Sequence, residues 1–333
     1  MRQTCRASSG PTTSPAGRTP DVPDLVIPPG IEGVVRIREL PDDDWCDRWD
    51  RIFVADGVKD RLLNALLFNL RQRRRGTAVG LAIHGLIVLA GPPGTGKTTL
   101  AGGLADQAAR VLDDGPLLFV DINPHAFPSQ LLGESQRSVA RLFERTIPDL
   151  ARRGYPLVVL IDEVESLAVN RAGASLETNP VDVHRSTDAV LAGLDRVATD
   201  WPNVVFLATT NFRAGVDPAF LSRADLIEEI GLPSLEAVAA ILTDTLAELG
   251  VAVGPGSGAA LDDVAAECVA AGLDARQVRK LVVGATWSSR DLALAPERLT
   301  IADIAAELAR SAAAREAGSD RPDAPAGTGN RAG

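Results

Sequence analysis

The chain is poor in cysteine. Its three, Cys5, Cys46 and Cys268, are scattered and odd in number. They make neither a disulfide framework nor a zinc pattern, so a reducing cytoplasm is the default setting. Positive charge is also short. With 34 Lys and Arg against 44 Asp and Glu, the formal net charge is −10. A non-specific nucleic-acid binder would need a basic face instead. No apolar run has the length of a bilayer span, and the best, Leu86–Ala90, has the length of a core strand. The N-terminal stretch holds Arg and Ser but lacks the apolar segment of a secretory signal. There is no His-Glu-x-x-His, so a fused zinc protease is excluded. His84, His125 and His184 have no carboxylate or cysteine company at ligand spacing, and read as structural or surface residues. The chain has no internal repeat.

What it does have is a phosphate loop. Leu86–Ala90 runs into Gly91, Pro92, Pro93, Gly94, Thr95, Gly96, Lys97, Thr98 and Thr99, the pattern Gly-x-x-x-x-Gly-Lys-Thr between a strand and a helix. Glycines let successive backbone N–H groups curl towards phosphate oxygens. The following helix offers the positive end of its dipole. Lys97 would serve the β- and γ-phosphates of ATP, and the Thr98 hydroxyl would ligate Mg²⁺. A second apolar strand, Leu157–Ile161, ends in Asp162 and Glu163. Asp162 is expected in the Mg²⁺ shell, and Glu163 beside the water that attacks the γ-phosphate. Glu165, two residues on, reads as solvated. A third apolar run, Val204–Thr210, ends at Asn211, which could orient that water or touch the γ-phosphate. Arg223 follows a turn at Asp217-Pro218. It is either a surface residue or a group reaching a neighbouring subunit's nucleotide.

Strand runs at Leu86–Ala90, Leu117–Ile122, Pro156–Ile161, Asn203–Thr209 and Asp225–Ile230 alternate with helical stretches, including Val58–Arg71, Thr99–Leu112 and Ser129–Leu150. This spacing implies an α/β fold, a five-stranded parallel sheet covered by helices on both faces. Residues 41–232 form this large nucleotide-binding domain. From Pro233 only helical periodicity remains, over Leu235–Leu249, Ala259–Ala271, Ala275–Ser288 and Ile301–Ala314, so residues 233–317 read as an all-helical lid domain. Residues 1–40 read as mostly disordered, with candidate short strands at Leu25–Ile27 and Val34–Ile37, and residues 318–333 read as a disordered tail. Trp45 and Trp49, four apart, share a helix face and are read as packing residues. The run Arg71–Arg75 is either a solvated cationic helix end, favoured by the dipole, or a small nucleic-acid patch.

The order Gly91–Thr98, Asp162-Glu163, Asn211 and Arg223, with a helical stretch after Pro233, resembles the AAA+ ATPases. Three stretches, Ile161–Leu167, Val216–Leu226 and Gly272–Lys280, are similar to the pachytene-checkpoint (thyroid-receptor-interactor) ATPases. The resemblance covers about residues 45–290. It implies a homohexamer with ATP between subunits, Arg223 as an arginine finger acting in trans, and Arg276 as the lid's second sensor. It implies HORMA-domain proteins as substrates, opened by pulling from the central pore, and for bacterial members a place in antiphage signalling beside second-messenger synthases. Two departures stand out. The folded N-terminal domain of eukaryotic members is absent or vestigial here. Where the family's pore loop carries an aromatic pair, this chain has Leu131-Leu132, followed by Gly133. A nucleic-acid-associated AAA+ protein, such as a clamp loader or transposition helper, is the alternative, and Arg71–Arg75 is its support. A scaffold that barely hydrolyses ATP is a third reading, opposed by the intact Asp162-Glu163 pair.

Overall fold

The computed structural model describes residues 33–76, 82–112, 115–124, 134–170, 180–252 and 258–319. The residues divide into two units, the first ending at Gly231 and the second starting at Leu232 and taking in Phe53–Ala55.

The first unit is built from β1 (Val34–Leu40), α1 (Asp43–Asp50), α2 (Val58–Arg74), β2 (Leu86–Ala90), α3 (Lys97–Val111), β3 (Leu117–Ile122), α4 (Glu134–Arg141), α5 (Ile147–Ala151), β4 (Leu157–Ile161), α6 (Pro180–Asp200), β5 (Val204–Thr210), α7 (Pro218–Leu221) and β6 (Leu226–Glu229). The sheet order is β1-β3-β4-β5-β2-β6. All neighbours are parallel except β1, which runs antiparallel to β3. Every residue of β2, β4 and β5 is buried, as strands covered on both faces must be. The five expected parallel strands are therefore present, and a sixth is added. β1 is an edge strand whose buried Ile37 and Leu40 are separated by polar Arg38 and Glu39. β1 thus lies before the expected domain boundary at residue 41, paired along its length with β3. Helix α6 also enlarges the expected set. The helix expected over Ser129–Leu150 is instead α4 and α5 joined by a π-helical turn, Leu142–Thr146, and its first residues lie outside the described set. Residues 1–32, 320–333, His125 and Leu131-Leu132-Gly133 also lie outside the described residues.

The tryptophans pack, as read. A Cβ on Gly102 would stand 2.4 Å from the Trp45 ring, and one on Gly103 2.7 Å from that of Trp49. Paired glycines on α3 therefore let α1 lie flat against the helix that follows the phosphate loop. Asp106 of α3, fully buried, completes the joint by accepting from the Asp42 backbone N–H (2.7 Å) and Arg110 Nε (2.8 Å).

The basic run is only partly solvated. Arg73 is 1 % exposed. Its Nη2 donates to the carbonyls of Ala198 (3.0 Å) and Trp201 (3.2 Å) at the end of α6, and its Nη1 to that of His84. A cation there meets the negative end of the helix dipole and unpaired carbonyls. Burial lowers its pKa to about 10, against a raising effect from Asp225. Arg73→Ala should therefore leave several carbonyls unpaired and cost about 3 kcal/mol or more. Exposed Arg75→Ala should cost no more than about 0.5 kcal/mol. Denaturant melts of the two variants check this, and equal midpoints would refute the capping role.

The second unit holds α8 (Leu235–Glu248), α9 (Gly258–Ala270), α10 (Ala275–Ala285), α11 (Arg290–Leu294) and α12 (Ile301–Ser319). Its core joins Val238, Ile241, Leu242, Leu261, Val264, Val278, Val282 and Ile304. Asp274 caps α10 in a reciprocal box with Gln277. Arg279 ties α10 to α8 through Asp244 at 3.1 Å. Cys268 is a buried free thiol, its pKa pushed up to about 11 by burial, so that little of it is thiolate at neutral pH. No described helix is long and apolar enough to cross a membrane.

Candidate active site

Parallel sheets place ligands beyond the carboxyl ends of their strands. The ends of β2, β4 and β5 carry the residues singled out by sequence. Gly91 leaves β2 with φ 148°, and a Cβ there would lie 2.1 Å from the Ile230 carbonyl oxygen, so only glycine fits. Gly94 (φ 82°) and Gly96 (φ 86°) bend the loop into α3. Pro92, Pro93, Thr98 and Thr99 are exposed, whereas Thr95 and Lys97 are buried at 6 % and 5 %.

Lys97 Nζ donates to the carbonyls of Gly91 (2.9 Å) and Pro92 (2.7 Å) and to Asn211 Oδ1 (2.9 Å). Asn211 Nδ2 in turn donates to Glu163 Oε1 at 3.0 Å. One amide thus bridges the ammonium of the phosphate loop and the carboxylate after β4. Thr98 Oγ1 donates to Asp162 Oδ1 at 2.8 Å, so the hydroxyl and carboxylate expected to share a cation already meet. Glu163 adopts the left-handed region, φ 53°. This sharp turn after β4 presents its side chain towards Asn211.

Three residues join the site that sequence reading did not bring there. Thr209 Oγ1 donates to Asp162 Oδ1 and accepts from the Glu163 backbone N–H. Glu165, expected in solvent, accepts from the Asn211 N–H at 3.0 Å and pins the end of β5. Asp121 of β3 stands opposite Arg36 of β1. Burial, and then repulsion from Asp162, push its carboxyl above the ordinary range, while Arg36 pulls it back. The hydroxyls directly before Asn211 are the signal for Thr209, since a hydroxyl buried at the end of an apolar strand needs a hydrogen-bond partner.

Two expected residues are not members of this chain of contacts among the described residues. Arg223 makes a two-pronged ion pair with Asp195, Nε to Oδ1 at 2.7 Å and Nη2 to Oδ2 at 2.8 Å, and its Nη1 donates to the Ala219 carbonyl at 2.6 Å. The pair holds the Asp195 carboxyl below its ordinary pKa and raises that of Arg223. Arg276 is exposed in the first turn of α10, in the second unit. Among the described residues no cluster of three His, Cys, Asp or Glu could hold a metal by itself.

Comparison with known proteins fits this geometry. Residues 87–232 match the model of the ATPase family associated with various cellular activities (AAA). CD-NTase-associated protein 6 of Pseudomonas aeruginosa is 43 % identical over 282 residues, 84 % of this chain and 91 % of that protein. A pachytene checkpoint protein 2 homologue of Danio rerio is 36 % identical over 204 residues, 60 % of this chain. The chain spans about half the length of that relative (48 %). A chain of the E. coli MS115-1 HORMA:CdnC:Trip13 complex shares the fold at TM-score 0.70 and 21 % identity, over 85 % of this chain and 97 % of that one. With the phosphate loop, the paired acidic residues after β4 and these relatives together, the chain belongs to the AAA ATPases, to the branch of the pachytene-checkpoint type, and is an ATP-binding, ATP-hydrolysing enzyme.

Proposed function

We propose that the chain works as a homohexamer in the bacterial cytoplasm, using ATP to open a HORMA-domain protein within antiphage signalling. The observation that carries the reading is the Lys97–Asn211–Glu163 bridge, because it ties phosphate binding to a carboxylate suited to activate water. The likeness to CD-NTase-associated protein 6 supports the signalling context. The resemblance to the pachytene-checkpoint ATPases supports the substrate class.

On this reading the loop Gly91–Thr99 wraps the phosphates, and Lys97 exchanges its loop carbonyls for phosphate oxygens. Thr98 and Asp162 offer oxygen ligands at mutual contact, the set that suits Mg²⁺. The ion would neutralise charge on the β- and γ-phosphates when bound. Glu163 takes the proton of the attacking water, and Asn211 fixes that carboxylate relative to Lys97. Arg223 is assigned to the γ-phosphate of the adjacent subunit, and Arg276 to the nucleotide as a second sensor. Shifting a substrate from 1:99 to 99:1 between closed and open states takes about 5.5 kcal/mol of bias, within reach of a coupled nucleotide cycle.

The test uses a purified closed HORMA-domain protein carrying a bound peptide. ATP and the chain together should release the peptide, and ATP alone should not. Turnover that responds instead to DNA, with salt-sensitive DNA binding, would favour the clamp-loader or transposition alternative. Burial of Arg73 already removes the centre of the basic run on which that alternative stands.

A further inference from the structure

We propose that Thr209 is a positioning residue for ATP hydrolysis, its single hydroxyl setting both the metal-binding carboxylate and the backbone of the water-activating residue. The proposal rests on the roles given above to Asp162 and Glu163. Thr209 lies in β5, 2 % exposed, and pairs with Leu89 of β2. On its other side Ala208 is level with Ile161 of β4, so the next residues along, Thr209 and Asp162, come side by side.

A hydroxyl has one proton to give and lone pairs to receive. Here both functions are used. Oγ1 donates to Asp162 Oδ1 at 2.5 Å and accepts from the Glu163 N–H at 3.0 Å. The first bond, together with the one from Thr98 to the same oxygen, fixes the rotation of the Asp162 carboxylate. The second holds Glu163 in its left-handed turn, which a residue with a Cβ does not favour by itself. That turn brings the Glu163 side chain to Asn211. Simple core filling would be met better by valine, which has the same shape and no polar atom to satisfy. The preceding residues of β5, Val204 to Ala208, are indeed all apolar. The hydroxyl appears where β5 reaches the site.

Three variants test this: Thr209→Val, which removes the hydroxyl and keeps the shape; Thr209→Ser, which keeps the hydroxyl; and Thr209→Ala, read in place of the valine variant where that one fails to fold. Turnover, nucleotide affinity and thermal midpoint are measured on assembled protein. Loss of the hydroxyl should lower kcat about 10–100-fold, the usual scale for a partner of a metal ligand, with KM for ATP changed less than about threefold. It should also shrink the gain in fluorescent-ADP affinity that Mg²⁺ gives over EDTA, a reading independent of turnover. Thr209→Ser should restore both. A merely structural threonine would lower the thermal midpoint and leave kcat and the Mg²⁺ gain intact, and that result overturns the proposal. Equal impairment of the serine and valine variants overturns it too. Glu163→Gln is run alongside. Normal turnover in that variant refutes the assignment of Glu163 itself, while the Mg²⁺ gain still judges Thr209 through Asp162.

Discussion

Glu163→Gln is expected to bind ATP as the parent chain does and to hydrolyse it roughly 10²–10⁴-fold more slowly, the usual worth of a positioned base. The amide cannot accept the proton of the attacking water. It can still accept from Asn211 Nδ2, because glutamine keeps an oxygen where Glu163 Oε1 now receives that bond at 3.0 Å. The bridge to Lys97 is therefore preserved, and so is the Asp162–Thr98 contact. Binding and chemistry should thus come apart in this variant. ATP-bound rings should accumulate and retain their substrate. Phosphate release and fluorescent-nucleotide titration read the two halves separately. Turnover near that of the parent would remove Glu163 from the role of base.

The strands that build the site were legible because they are covered on both faces. Leu86–Ala90, Leu157–Ile161 and Val204–Thr210 are nearly unbroken apolar runs, and each is followed by its functional residues. The phosphate loop was legible because glycine at Gly91 is demanded by geometry that no other residue tolerates. β1 was harder to read. Val34–Ile37 is a candidate strand by sequence, but its partner β3 lies far along the chain and its exposed residues mix Val35 with Arg36 and Glu39, so neither its extent to Leu40 nor its place in the sheet could be read. Thr209, Glu165 and Asp121 escaped because their roles depend on strand order. Only the adjacency of β4 and β5, and of β3 and β4, brings them to Asp162 and Asn211. Arg73 escaped for the same reason. Nothing in a run of arginines says which one meets the end of a helix more than a hundred residues on, as its bond to Ala198 (a separation of 125) requires.

Arg223→Ala and Lys97→Ala are each expected to be nearly inactive, for opposite reasons, and to recover activity when mixed. Lys97 is buried in its own loop, bonded to that loop's Gly91 carbonyl, and on the proposed reading serves the nucleotide bound by its own chain. Its loss should remove ATP binding. Arg223 makes no contact with the Lys97–Asn211–Glu163 bridge among the described residues, and its guanidinium engages Asp195. Arg223→Ala should therefore bind ATP nearly normally. A finger acting in trans would still cost it roughly 10³–10⁵ in rate, as such arginines do in phosphoryl transfer. Giving up Asp195 for a γ-phosphate exchanges one charged acceptor for a more highly charged one on assembly, and the Asp195 carboxylate, 49 % exposed, can return to water. In a mixed ring, an Arg223→Ala subunit presents an intact loop to a Lys97→Ala neighbour whose finger is intact. One composite site is then whole, and hydrolysis should rise well above either parent. The measurement is phosphate release from mixtures across a range of ratios, with subunit exchange verified by labelled chains. Exchange without any recovery would mean that Arg223 acts within its own chain or serves only its pair with Asp195. If it serves only the pair, Asp195→Ala should reproduce the Arg223→Ala defect, whereas an arginine that acts on the nucleotide should survive the loss of Asp195.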